Sequence, residues 1–278
     1  MCFSVIVLQA WLIMKNGYIP LTRRNFFSWS RRNEKKFRKQ SVRTISNETA
    51  PVKWAVDGFL PVGLSILTGR TKVGKSILAL NLSIGVATGL SVLGHFNAVK
   101  GGVLYLALED TMRRLHDRIK SCALIEPDTD LSGLCVFTGI PHQHSGGLEY
   151  IRYWLSEHED TRLVVIDTLQ MFMERLSGKG SAYREDYQAA SEIKQLANEF
   201  NVAVLAVYPL GENTKGDWVS EFSGSRGIVD VADTIFVLER NFKSRTGVLR
   251  RFIRGMAEEQ FSLKFSPHGW TMAGQTNC

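Results

Sequence analysis

One stretch constrains this chain more than any other. The apolar run at residues 64–68 leads directly into "GRTKVGKS", and Leu78, Leu82 and Val86 then recur at helical spacing. Gly69, Gly74, Lys75 and Ser76 satisfy G-x-x-x-x-G-K-[ST], a pattern that chance would supply in a chain of this length with a probability of roughly 1%. With a strand before it and a helix after it, the backbone N–H groups of Gly69, Arg70, Thr71, Lys72, Val73, Gly74, Lys75 and Ser76 converge on one point. The positive end of the helix dipole favours an anion there. The spacing therefore predicts a cradle for the phosphates of ATP, with Lys75 reaching the β- and γ-phosphates and the Ser76 hydroxyl completing the coordination of Mg²⁺. The competing reading is a glycine-rich turn that binds nothing.

Further along, "GGVLYLALED", "LCVFTG", "RLVVIDT" and "VAVLAVY" read as strands, and "TMRRLHDRIKSC", "GLEYIRYWLSEH" and "EDYQAASEIKQLANEF" read as helices between them. Strands alternating with helices imply an α/β domain with a mostly parallel sheet covered on both faces. A polar loop is expected at residues 176–183. Beyond Ser223 the rhythm changes to "DTIFVLER", "GVLRRFIRG", "EQFSLKF" and "GWTM", short strand-like runs with no intervening helix, which predict an antiparallel C-terminal extension of the same sheet.

A phosphate cradle needs partners before it can hydrolyse anything. Asp167 ends the apolar run 163–166, where a carboxylate can hold Mg²⁺ close to Ser76. Glu109 follows the strand at 103–108, and in a parallel sheet that strand end lies on the same edge as the loop and Asp167. A carboxylate there can orient and deprotonate water, so Glu109 is the candidate general base. The adjacent Asp110 competes for the role; its structural reading is an N-cap for a helix starting at Thr111.

The formal net charge of +7 is unevenly spread. Residues 1–50 hold ten Lys or Arg against Glu34 and Glu48, a net of +8, so the rest of the chain sums to −1. We expect two parts: a basic, disordered N-terminal arm at 1–50 and an ATPase domain at 51–278. In the arm, "TRRNFFSWSRRNEKKFRK" interleaves cations with Phe26, Phe27 and Trp29, which suits phosphate contact with base stacking. A solvated tail or an organelle-import leader are the alternatives. The opening "MCFSVIVLQAWLIM" is too short to span a bilayer, and translation from Met14 would remove most of it. No membrane association is expected. Cys2, Cys122, Cys135 and Cys278 form no C-x-x-C pair, which fits free thiols in a reducing cytoplasm. His142 and His144 flank Gln143 without a Cys or carboxylate set nearby and read as surface residues, while Trp154 sits at helical spacing with Ile151 and reads as core.

"GRTKVGKSILAL", "VLYLALED" with a basic helix after it, "LVVIDTLQMF", "SAYREDYQAASEIKQLANEF", "FSGSRGIVDVADTIFVLER" and the closing strands resemble, in that order, the RecA-like ATPases related to RepA-type hexameric replicative helicases. The resemblance runs from about Trp54 to Met272. It implies a RecA-like P-loop core, a homo-oligomeric ring of six that binds ATP between subunits, Glu109 as catalytic base, and DNA, single-stranded or held by its backbone, in a central channel. Replication proteins are the implied partners. Arg254 matches the family arginine that reaches the neighbouring subunit's ATP and stabilises transition-state charge. Two departures stand out. Where the family carries a histidine pair this chain has Tyr208 and Pro209, and the family's Gly-Arg-Asp is reduced to Ile253-Arg254-Gly255. Arg226 in "SGSRG" suits phosphate, DNA or a pair with Asp230 equally.

These features imply an ATP-hydrolysing, ring-forming DNA motor. The alternatives are a nucleotide-dependent assembly switch that separates no strands, and a structural or silencing protein of a mobile element with little turnover. Tyr208 and Pro209 stand at the position that passes the state of the γ-phosphate to the DNA-facing loops, so they bear directly on that choice.

Overall fold

The computed structural model describes residues 52–122, 126, 128–173, 182–210 and 226–273, all within the unit Val52–Cys278. The arm at 1–50 and the loop at 176–181 lie outside the described residues, as does the side chain of Arg226. In chain order the elements are β1 (Trp54–Val56), β2 (Leu60–Pro61), β3 (Gly63–Gly69), α1 (Lys75–Thr88), β4 (Gly102–Ala107), α2 (Met112–Ser121), β5 (Leu134–Phe137), a 3-10 turn (Gln143–Ser145) and α3 (Gly147–Glu157). They continue with β6 (Thr161–Asp167), α4 (Leu169–Phe172), α5 (Ala182–Phe200), β7 (Ala203–Pro209), α6 (Arg226–Val231), β8 (Thr234–Asn241), β9 (Thr246–Ile253), β10 (Glu259–Ser266) and β11 (Gly269–Met272).

A strand with apolar residues at every position must bury both faces, and the central strands do so. In β6, Leu163 and Val165 join one core with Leu78, Leu82 and Val86 of α1. Their neighbours Val164 and Ile166 join the other, with Ile151 and Trp154 of α3 and Ile193 and Leu196 of α5. The period-2 alternation thus feeds two hydrophobic layers, one on each side of the sheet. Burying each such side chain contributes about 1.5–3 kcal/mol, which fixes the positions of the strand ends.

Among the described residues, nine strands form one sheet in the order β11-β10-β9-β8-β3-β7-β6-β4-β5. Strands β3, β4, β5, β6, β7 and β8 run parallel, and β9, β10 and β11 add antiparallel pairs. The architecture is the expected one, with two refinements. The first run beyond Ser223, β8, pairs parallel with β3 (Ser65↔Thr234, Thr68↔Val237), so the antiparallel extension starts at β9. Helix α6 precedes β8, and a crossover through it lets the chain enter the sheet in the parallel sense. The small separate sheet of β1 and β2 has no counterpart in the sequence pattern.

Candidate nucleotide-binding site

The site is built where the parallel strands end. β3 runs out at Gly69, whose φ of +149° disfavours side chains. A Cβ there would come within 2.2 Å of the Leu238 carbonyl oxygen on β8, so only glycine lets the chain leave the sheet at this point. The loop closes at Gly74, with φ +104°, and α1 begins at Lys75 with no side-chain cap. The first-turn N–H groups of α1 are consequently left to an outside acceptor.

The Lys75 ammonium turns back on the loop and donates to the carbonyls of Gly69 (2.7 Å) and Arg70 (2.8 Å). Burial pulls its pKa down to about 8, against the attraction of Asp167 and Glu109. Ser76 Oγ donates to Asp167 Oδ1 at 3.2 Å, across 91 positions of sequence. The other carboxylate oxygen accepts from the Tyr105 hydroxyl at 2.8 Å. Asp167 is 7% exposed, and burial pushes its pKa up, opposed by the hydrogen bonds from Tyr105 and Ser76. Register explains the meeting: Ala107 pairs with Asp167 and Tyr105 with Val165, so Tyr105 lies one pleat back on the neighbouring strand. Its own hydroxyl is held well above its usual pKa, first by burial and then by Asp167, and serves as a donor.

Glu109 lies two residues past the end of β4 and is exposed. It lines a cleft of about 260 Å³ with Lys75, Ser76, Arg118, Thr168 and Pro209. Thr168 Oγ1 donates to Glu109 Oε1 at 2.7 Å, which aims the carboxylate. Asp110 turns the other way. It pairs with Arg114 at 3.0 Å and with Arg118, and it accepts from the Thr111 N–H at 3.0 Å. The cap of α2 is Thr111, whose side chain accepts from the Arg114 N–H, not Asp110 as the sequence suggests. Thr and Asp are both good caps, and the helix starts one residue later than expected.

The donors present suit a polyphosphate with a divalent cation: unfilled helix N–H groups, a buried ammonium, and a hydroxyl and carboxylate already in contact. Lys75, Ser76, Asp167 and Glu109 are brought together at this edge of the sheet. Arg254 is not. It follows β9, which returns antiparallel from Thr246 to Ile253, so it lies at the opposite edge. There its backbone N–H donates to Asp233 O (2.9 Å) and its guanidinium to Asp230 O. Asp233 is itself held by Lys194 and by the Leu64 N–H.

Tyr105 and Thr168 escaped the sequence reading. A buried tyrosine in an otherwise aliphatic strand needs a partner for its hydroxyl, and that was the available signal for Tyr105. Tyr208 is 8% exposed and lies in the second core, while Pro209 pairs in register with Gly69 and lines the cleft. His142 and His144 are exposed, His142 within 3.1 Å of the Met171 carbonyl and His144 within 3.6 Å of Glu192. No group of three or more potential metal ligands occurs among the described residues. Among them, too, no helix is long and apolar enough to cross a membrane.

Comparison with known proteins agrees with this geometry. A family model described as "AAA domain" matches residues 31–213. A probable replicative DNA helicase of Trieres chinensis is 27% identical over 213 residues, 66% of this chain and 44% of that protein. The chain thus spans less than half the length of that relative. Among solved structures, the ATPase domain of a helicase superposes with a TM-score of 0.65 at 16% identity, over 83% of this chain and 95% of that one, a likeness of fold. With its phosphate loop at the carboxyl end of a nine-stranded, mostly parallel sheet, the chain belongs to the AAA domain family and has the RecA-like P-loop fold of a helicase-type ATPase domain.

Proposed function

We propose that the protein is a DNA-associated ATPase that forms a ring, hexameric as the resemblance implies, and hydrolyses ATP between subunits. The observation that carries this reading is the meeting of Ser76 and Asp167 beside Lys75 and Glu109 in one cleft. Lys75 would release the Gly69 and Arg70 carbonyls and place its charge over the β- and γ-phosphates. Ser76 and Asp167 would hold Mg²⁺, which when bound neutralises charge between those phosphates. Glu109, aimed by Thr168, takes the proton of the attacking water as the new bond to the γ-phosphorus forms and the bond to the ADP oxygen breaks. Arg254, too distant to serve its own subunit's loop, supplies positive charge to a neighbour's.

DNA is the proposed ligand of the assembly, and the basic arm at 1–50 a contributor to its binding. The relative's printed description as a replicative helicase supports this assignment. An assembly switch is the second reading. It is favoured by Pro209, which puts at the cleft a residue with no N–H and no polar side chain. Phosphate release measured with and without single-stranded DNA, followed by strand displacement, separates the two. A motor shows DNA-stimulated release and displaces a strand, whereas a switch hydrolyses without displacement. Lys75→Ala removes both activities if the site is correctly assigned, and unchanged turnover in that variant overturns it.

A further inference from the structure

The last strand of the extension touches the phosphate loop. Trp270 on β11 is 2% exposed, and its indole Nε1–H donates to the Gly74 carbonyl at 3.1 Å, across 196 positions of sequence. That carbonyl also accepts from the Leu78 N–H at 3.0 Å, the first bond of α1, so both its lone pairs are engaged. The contact is close enough to exclude a side chain: a Cβ on Gly74 would lie 2.9 Å from the indole nitrogen. Trp270 is itself fixed. Its backbone N–H donates to Asn81 Oδ1 on α1 at 3.0 Å, Phe265 packs edge-on against its ring with centroids 4.9 Å apart, and Gly247 on β9 leaves room for the ring.

Peptide geometry carries this contact through to the ligand side. In a planar trans peptide the carbonyl and the next N–H point in opposite directions. Fixing the Gly74 oxygen toward Trp270 and Leu78 therefore fixes the Lys75 N–H pointing out of the helix terminus, toward the place where an anion is held. Gly74, with no Cβ and φ +104°, is the residue of the loop where this peptide would otherwise turn most freely.

We infer that Trp270 is a positioning residue for the nucleotide: its indole N–H sets the Gly74–Lys75 peptide and so pre-aims a phosphate-binding N–H before ligand arrives. The inference rests on the nucleotide-binding reading above. It gives the antiparallel extension a direct part in affinity, through one hydrogen bond rather than through shape alone.

The test uses the full chain and mant-ADP with Mg²⁺ as the probe. Trp270→Phe keeps a ring and loses the donor; replacement of Trp270 by benzothienylalanine keeps the indole outline and puts sulfur where the N–H was. Both should raise the Kd for mant-ADP by about 2- to 12-fold, the usual net worth of one hydrogen bond. With ATP, kcat at saturation should fall by less than about twofold, and circular dichroism should match the parent protein. The tryptophan emission change on adding ADP and Mg²⁺ should also shrink in Trp270→Phe. Parent-like affinity in the benzothienylalanine protein, even with Trp270→Phe weakened, would assign the effect to packing and overturn the inference. So would a fall in kcat with Kd unchanged. A parent protein that binds no nucleotide would remove the site and this inference together, whereas a parent that binds normally beside two unaffected variants removes only the inference.

Discussion

The two edges of the parallel sheet differ in what they collect. At the carboxyl edge, strand ends bring Lys75, Ser76, Glu109 and Asp167 together, with Thr168 holding Glu109, and Tyr105 and Ser76 holding Asp167. At the amino edge stands Arg254, fastened by its own backbone and side chain to Asp233 and Asp230. Each edge is firmly held, and each lacks what the other has. Under the proposed function, nucleotide binding is therefore a property of one chain, while catalytic completeness is a property of two.

Arg254→Ala strikes at that contrast hardest. It should bind ATP with parent affinity yet lose about 10³-fold in kcat, as loss of an arginine finger does. Mixing it with Lys75→Ala should restore part of the turnover, because one interface then pairs an intact loop with an intact arginine. Mixtures that co-sediment as one oligomer and recover nothing would refute the arrangement.

Next in size is Glu109→Gln, which should retain ATP binding and lose at least ~100-fold in turnover, the usual worth of a positioned general base. Asp110→Asn should lose less, because Asp110 is engaged with Arg114 and Arg118. Phosphate release by the two variants decides between them, and the reverse order would exchange the roles.

The third test uses pH. Lys75 binds phosphate as the ammonium, and its pKa in the protein lies at about 8. The group is therefore largely charged at pH 7 and largely neutral at pH 9, and binding at pH 9 must take up a proton. Affinity for ATP should be present below pH 8 and fall as pH rises through it, by about tenfold between pH 7 and 9. Calorimetry in buffers of different ionisation enthalpy reads that proton uptake directly. Lys75→Ala should flatten the profile.

A milder change is expected of Tyr105→Phe, which strips one hydrogen bond from Asp167 and leaves the strand otherwise intact. The Kd for Mn²⁺ in the presence of ADP, read by electron paramagnetic resonance, should change by about 2- to 12-fold. An unchanged metal affinity would reduce Tyr105 to a packing residue.

Much of the carboxyl edge was legible in advance because it is written in local patterns. The loop motif, the all-apolar strand runs and the carboxylates just past "VLYLA" and "LVVI" are each short and contiguous, and parallel pairing brings such strand ends to one edge. The supporting bonds were not legible. Thr168 reaches Glu109 across 59 positions, Tyr105 reaches Asp167 across 62 and Trp270 reaches Gly74 across 196, and these depend on strand order and register that periodicity does not encode. The direction of β8 was hidden for a related reason: a fully buried run reads alike in either sense. The choice between Asp110 and Thr111 as helix cap failed because both residues make good caps and helix ends shift by a single position.

The antiparallel return of β9 also sets a counting rule. Its eight residues carry the chain from the loop edge back to Arg254, a span of roughly 24 Å at strand rise, so the giving and receiving faces sit on opposite flanks of each subunit. A two-fold pair buries the same patch on both partners and would leave these flanks unmatched; head-to-tail stacking matches them. In a closed assembly every subunit then both gives and receives, and active sites equal subunits. An open arc always has one fewer, so its specific activity rises with length and falls on dilution, even while every loop remains saturated with nucleotide.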